Sequence, residues 1–286
     1  MTEESFILHL PDRRETPVIF SSPHSGRDYS PAFLQASVLD ERVIRSSEDA
    51  FVDLLFDSAP AWGAPLLAAR APRAFLDLNR GADELDPAVI EGIGRLAHNP
   101  RVSSGLGVIP RVVANGRPIY RGKLTRTEAE ARLQRWWHPW HDKLRSLIEE
   151  SRSLFGEAVL IDCHSMPHEA IEAHARPGHL RPEVVLGDRF GAAAGREVMD
   201  RVEAAFRAAG LRVARNAPFA GAHIAQAYGR PARGQHVIQV EIDRALYMDE
   251  ARVQPLADFE AFRALVAEVV ADIAEIGRER LPLAAE

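Results

Sequence analysis

The segments Val18-Ile-Phe-Ser-Ser-Pro-His24 and Ala158-Val-Leu-Ile-Asp-Cys-His164 are built alike: a short apolar run, small or turn-forming residues, then a histidine. Short continuous apolar runs bounded in this way predict strands buried within a sheet. Similar runs at 65–69, 74–78, 183–186, 211–214 and 236–242 predict further strands. Between them, residues 49–61, 127–155, 191–209 and 258–276 carry apolar side chains at helical spacing. Strands alternating with helices predict a helix-covered α/β sheet.

Thr125 followed by Glu128 has the spacing of a capping box and marks a helix start. Pro139, inside the same helical pattern, is expected to kink or divide it. Residues 81–121 are rich in Gly, Pro and Arg and read as excursion loops. With no repeat, low-complexity tract or long Gly/Ser linker, residues 1–286 read as one domain.

A chain of 286 residues, 46% of them apolar, can bury a large core. Its 35 basic and 41 acidic side chains leave a net charge of −6, which argues against non-specific binding to nucleic acid or an anionic membrane. The expected partner is a small molecule. A single cysteine, Cys163, excludes a disulfide framework and a thiolate cluster, so any metal falls to histidines and carboxylates, as suits a reducing cytoplasm. The first ten residues lack a basic, apolar leader and no run reaches 18 apolar residues, so neither export signal nor membrane span is expected.

Ligands of open α/β sheets sit beyond the carboxyl ends of the strands, where His24 and His164 would face one cleft. Neutral imidazole is a common ligand for a divalent metal, and a catalytic zinc site takes three protein ligands. The third is expected to be a carboxylate from Ser46-Ser-Glu48-Asp49-Ala-Phe-Val-Asp53, in which Asp49 and Asp53 would share a helix face. Acids in a first helical turn also answer the helix dipole. Glu241 interrupts a β-branched strand, His236-Val-Ile-Gln-Val-Glu241-Ile-Asp-Arg244, where a carboxylate is costly unless paired, metal-bound or facing a cleft. It suits a general base, with a salt bridge to Arg244 as the structural alternative. Arg80, closing Phe75-Leu-Asp-Leu-Asn79-Arg80, suits capture of a carboxylate or a developing oxyanion.

Other signals point elsewhere. His168-Glu169 is followed by His174 two residues too late for a helical metal motif, and neither a phosphate loop nor a Gly-x-Ser-x-Gly elbow is present. His138 and His141 sit beside Trp136, Trp137 and Trp140 and read as packed side chains.

Taken in order, Ser22-Pro-His24-Ser-Gly26, Glu48-Asp49-Ala-Phe-Val-Asp53, Asp77-Leu-Asn-Arg80, Ile161-Asp-Cys-His-Ser-Met-Pro167, Asn216-Ala-Pro-Phe-Ala-Gly221 and Glu241-Ile-Asp-Arg-Ala-Leu-Tyr-Met248 resemble the N-formylglutamate amidohydrolases, or N-formylglutamate deformylases, across nearly the whole chain. The resemblance implies a metal-dependent amide hydrolase related in fold to zinc carboxypeptidases and aspartoacylase. That fold is a three-layer α/β (phosphorylase/hydrolase-like) arrangement, a mostly parallel or mixed central sheet with helices on both faces. It also implies His24 and His164 as zinc ligands with Asp49 the third, Glu48 and Asp53 being alternatives and another divalent ion an alternative to zinc. Asn79 and Arg80 would hold substrate, Glu241 would act as general base and Arg80 would share the oxyanion charge. Arg121 and Arg244 are candidate cations for a second substrate carboxylate, and His223 is a candidate cleft residue. The implied reaction is N-formyl-L-glutamate plus water to formate and L-glutamate, the end of histidine breakdown. Competing readings are a carboxypeptidase-like or peptidoglycan amidase with the same metal site, and a metal-binding protein without turnover.

Overall fold

Residues Ala158–Met166 and Gln235–Asp243 form the two longest strands, nine residues each, paired in parallel along their whole length. The computed structural model describes residues 5–94, 99–172 and 181–278. In chain order the main strands are β1 (Phe6–His9), β2 (Val18–Ser22), β3 (Leu66–Ala69), β4 (Ala158–Met166), β5 (Val184–Gly187), β6 (Val213–Arg215) and β7 (Gln235–Asp243). They form one sheet in the order β1-β3-β2-β4-β7-β5-β6. The β1/β3 and β5/β7 pairs are antiparallel and the others parallel, so the sheet is mixed.

Alternation along the strands divides the core in two. Val18, Phe20, Val159, Ile161, Ile238 and Val240 face helices Arg196–Ala208 and Phe259–Ala274, while Ile19, Leu160 and Val237 face helix His138–Phe155. Helices therefore cover both faces, as expected for a three-layer α/β arrangement, and strands buried on both sides explain the unbroken apolar runs. No helix among the described residues is long and apolar enough to cross a membrane.

Three expectations need correction, and one strand goes unread in the sequence. Residues 74–78 form no strand: Leu76 and Leu78 are buried, but Asp77 N–H bonds Val108 O (2.8 Å) in irregular chain. Arg132 holds that chain from outside, donating to Phe75 O (3.1 Å) and Tyr120 Oη (2.7 Å) with its guanidinium 4.0 Å from the Phe75 ring centroid. The helix expected over 49–61 shrinks to Val52–Leu55 and a 3₁₀ turn, Ala59–Trp62, because Phe51 adopts φ +66°, a conformation that breaks helical continuity. Pro139 does not divide the second helical stretch. Helix Arg126–Arg132, capped by Thr125, passes into a π turn, Leu133–Trp137, and on into His138–Phe155. The wider π turn takes up the clash a proline makes with the carbonyl four residues earlier. Finally, β1 is an edge strand without an apolar signal strong enough to be read.

Ile161 is fully buried and pairs with Phe20 and Ile238 at the centre of the sheet. Ile161→Ala is expected to lower unfolding free energy by about 2–5 kcal/mol, measured by urea denaturation. A loss below about 1 kcal/mol would show that the core closes over the cavity.

Candidate active site

In the β4/β7 register, Asp162 lies opposite Gln239 and His164 opposite Glu241. Side chains two apart share a face, so these four polar groups form one patch at the carboxyl ends of neighbouring strands. His24 follows β2 by two residues, and β2 is the other neighbour of β4. The two imidazole centroids are 4.7 Å apart. Asp49 arrives from a loop whose N–H bonds the carbonyl of His24 (3.0 Å), and the left-handed Phe51 sends the chain away directly afterwards.

The three side chains converge. His164 Nδ1 lies 3.1 Å from His24 Nδ1 and 3.0 Å from Asp49 Oδ2, and His24 Nδ1 lies 3.3 Å from the same oxygen. All three are buried, at 1–2% exposure. The opposite edge of each ring meets a carboxylate: His24 Nε2 donates to Asp77 Oδ1 (2.7 Å) and His164 Nε2 to Asp162 Oδ2 (2.9 Å). Those partners fix the tautomers with hydrogen on Nε2 and a lone pair on Nδ1. Arg244 Nη2 binds Asp49 Oδ1 (2.9 Å), aiming Oδ2 at the imidazoles.

Without a cation, two nitrogen lone pairs and a carboxylate oxygen at such range would repel. Burial disfavours charge on His164, but Asp162 and Asp49 outweigh it and hold its pKa well above the ordinary value. Asp49 is held well below its ordinary value against burial by His164, His24 and Arg244. A tetrahedral ion with ligand distances of 2.0–2.1 Å has edges of about 3.3 Å, close to the observed separations. The donor set, its spacing and its carboxylate-backed imidazoles thus fit a divalent metal, and His24, Asp49 and His164 are a group that could hold one.

A cleft of about 530 Å³ opens over this group, lined by Glu241, Gln239, Asn79, Arg80 and the loop segment from Pro218 to Ala222, among others. Burial, with the charge of Asp49 adding and those of His164, Arg73 and Arg244 opposing, raises the Glu241 carboxyl to about 7. Gln239 Nε2 donates to Glu241 Oε1 (2.8 Å).

Not every residue singled out in the sequence reaches the cleft in a free state. Glu48 is engaged by Arg45 and Tyr29, and Asp53 pairs with Arg27, so neither faces the imidazoles. Asn79 Oδ1 accepts from Ile224 N–H (2.7 Å), and its amide nitrogen lies 3.3 Å from both Asp162 Oδ2 and Gln239 Oε1. The 78–80 segment is held by His141 Nε2 on Leu78 O (3.0 Å) and Trp137 Nε1 on Arg80 O (2.9 Å). Arg121 is exposed and absent from the cleft lining, a correction to its expected role that follows from its place in a surface turn. Arg244 lines the cleft with its hydrogen bonds given to Ser165, Ser46 and Asp49. His223 packs near Trp137 and His141, outside the lining. His174 lies outside the described residues. Sequence reading missed Asp77, Asp162, Gln239, Arg73 and Arg101. Of these, Asp162 carried a signal, since it stands two residues before His164 on a strand.

A model of the N-formylglutamate amidohydrolase family matches residues 16–248. An N-formylglutamate deformylase of Pseudomonas aeruginosa is 32% identical over 94% of this chain and 96% of its own length. Another, of Pseudomonas putida, is 30% identical over 82% of each. The crystal structure of an N-formylglutamate amidohydrolase from Ralstonia eutropha JMP134 superposes with a TM-score of 0.90 at 35% identity, covering 97% of this chain and 99% of that one. A gene product of Agrobacterium tumefaciens, 18% identical with a TM-score of 0.62 over 96% of this chain and 98% of that one, shares the fold.

A carboxyl with a pKa higher in the folded than in the unfolded chain lends stability that is complete below about 4.5 and lost as pH rises through about 7. Glu241→Gln stays neutral throughout. In chelator-treated protein its melting temperature is therefore expected to rise relative to the wild type from about pH 5 to about pH 8. A difference flat in pH would mean that Glu241 ionises in the ordinary range.

Proposed function

The chain belongs to the N-formylglutamate amidohydrolase family, and on that premise we propose that it hydrolyses the amide bond of N-formyl-L-glutamate to formate and L-glutamate, with a divalent ion, zinc by its donor set, held by His24, Asp49 and His164. The observation that carries the reading is the meeting of two Nδ1 lone pairs and one carboxylate oxygen beside a buried carboxyl on the adjoining strand. Residues 1–286 are taken as one catalytic unit in the cytoplasm.

The chemistry that a zinc-type ion supplies when bound is Lewis acidity, which makes water a better nucleophile near neutral pH and polarises a carbonyl. Asp77 and Asp162 hold the two imidazoles in one tautomer and orientation, and Arg244 does the same for Asp49. Glu241 takes the proton of the attacking water on its carboxylate and delivers it to the amide nitrogen as the C–N bond breaks. Its raised pKa lets it both accept and return that proton near neutrality. Gln239 fixes Oε1, leaving Oε2 for the transfer. Arg80 binds the anionic end of the substrate and shares the charge of the developing oxyanion. Asn79 acts through its neighbours, tying Gln239 and Asp162 together beneath the cleft.

Glu241→Gln is expected to keep the wild-type metal content by elemental analysis while formate release falls by about 10²–10⁴-fold. Turnover close to wild type would remove Glu241 from the mechanism. Asp162→Asn, which weakens the support of His164, is expected to lower zinc affinity by about 10–100-fold in a competition titration with a chromogenic chelator. Undiminished affinity would mean that His164 is not a ligand.

A further inference from the structure

Four arginines among the described residues line the cleft, and they are neutralised unequally. Arg244 binds Asp49 (2.9 Å), and Arg73 binds Asp77 (3.2 Å) with Asp49 at 4.0 Å. Arg80, only 7% exposed, gives its hydrogen bonds to main-chain carbonyls, Nε to Leu106 O (2.9 Å) and Nη1 to Asn79 O (2.8 Å). Arg101, partly exposed, has no hydrogen bond or ion pair on its guanidinium among the described residues. The neighbouring acids are engaged elsewhere. Asp77 serves His24 and Arg73, Glu84 binds Gly81 N–H and the Asn99 amide, and Asp86 binds Arg111.

Arg80 and Arg101 are also joined through the backbone. Leu106 accepts from Arg80 with its carbonyl and donates its N–H to the carbonyl of Arg101 (2.8 Å). Asn99 Oδ1 caps the short helix Pro100–Ser103, accepting from Arg101 N–H (3.0 Å), which fixes the chain that carries the guanidinium. Burial holds Arg80 below its ordinary pKa, and although Asp77 opposes this, the like charges of Arg73 and Arg101 add to it. Two guanidiniums without a carboxylate in contact among the described residues, one of them buried, call for an anion from outside the chain.

We propose that Arg101, with Arg80, forms the subsite for the side-chain carboxylate of an acidic amino-acid substrate, making Arg101 the residue that selects a glutamyl over a neutral side chain. The inference rests on the reading of the cleft as a site for an N-formyl amino acid. It fills the place for which the sequence offered Arg121 and Arg244, one of which is on the surface and the other bound to Asp49. A neutral side chain in this subsite leaves the guanidinium facing an uncharged group, so discrimination is on the order of tenfold to a hundredfold.

The test uses L-glutamate and L-glutamine, which differ only in carboxylate against amide. Their binding to the zinc-loaded wild type, Arg101→Leu and Arg101→Lys is measured by calorimetry, alongside formate release from the two N-formyl derivatives. The wild type is expected to prefer glutamate by about tenfold to a hundredfold. Arg101→Leu is expected to bring that ratio near one, chiefly through KM, and Arg101→Lys to restore most of it. A wild type that does not prefer glutamate, or does not bind it, overturns the proposal, as does an Arg101→Leu variant that keeps the preference. Selective binding of glutamate without formate release from either derivative would instead overturn the hydrolase reading and leave the anion subsite standing.

Discussion

His24 Nδ1, His164 Nδ1 and Asp49 Oδ2 present lone pairs to one another at 3.0–3.3 Å, an arrangement that repels unless a cation lies among them. Much of the surrounding structure can be understood as holding those atoms against that repulsion. The β2/β4 pairing brings the imidazoles together, Asp77 and Asp162 pin their far edges, and Arg244 pulls Asp49 into place from the other side. Each support is buried, where a hydrogen bond to a charged group is stronger and a missing one costs more.

Around that centre the charges divide into two groups. Asp49, Asp77 and Asp162 are consumed by the imidazoles and their arginines, while Glu241 sits apart with a single amide partner on its carboxylate. The separation gives carboxylates gathered at one end of the sheet different protonation behaviour: Asp49 and Asp77 are held toward the ionised form and the Glu241 carboxyl is raised to about 7. Environment rather than residue type assigns those roles.

Much of this was legible in the sequence, and the limits have physical reasons. Histidines and a glutamate closing or interrupting apolar runs stand out because buried strands rarely carry them, which is why His24, His164 and Glu241 could be picked without a structure. The choice among Glu48, Asp49 and Asp53 depends on the left-handed backbone at Phe51, and an aromatic residue gives no hint of such a conformation. Leu76 and Leu78 alternate as a strand would, and both are buried, but their backbone partners lie in a loop rather than a sheet. Arg73 and Arg101 look like any other arginine of this chain, since only the fold shows which guanidiniums line the cleft and which of those lack a carboxylate.

The π turn Leu133–Trp137 sets the angular phase between the helices it joins. Each residue of an α-helix advances the chain by about 100°. A π turn spends one residue more than an α turn on nearly the same rotation, so losing one residue from it would leave Arg126–Arg132 and His138–Phe155 close to their present phase. Arg132 would keep Phe75 and Tyr120, and Trp137 and His141 their grip on the 78–80 segment. A residue lost from either flanking helix would instead turn one grip away from the other by the full step, so this stretch can shorten at the turn and nowhere else.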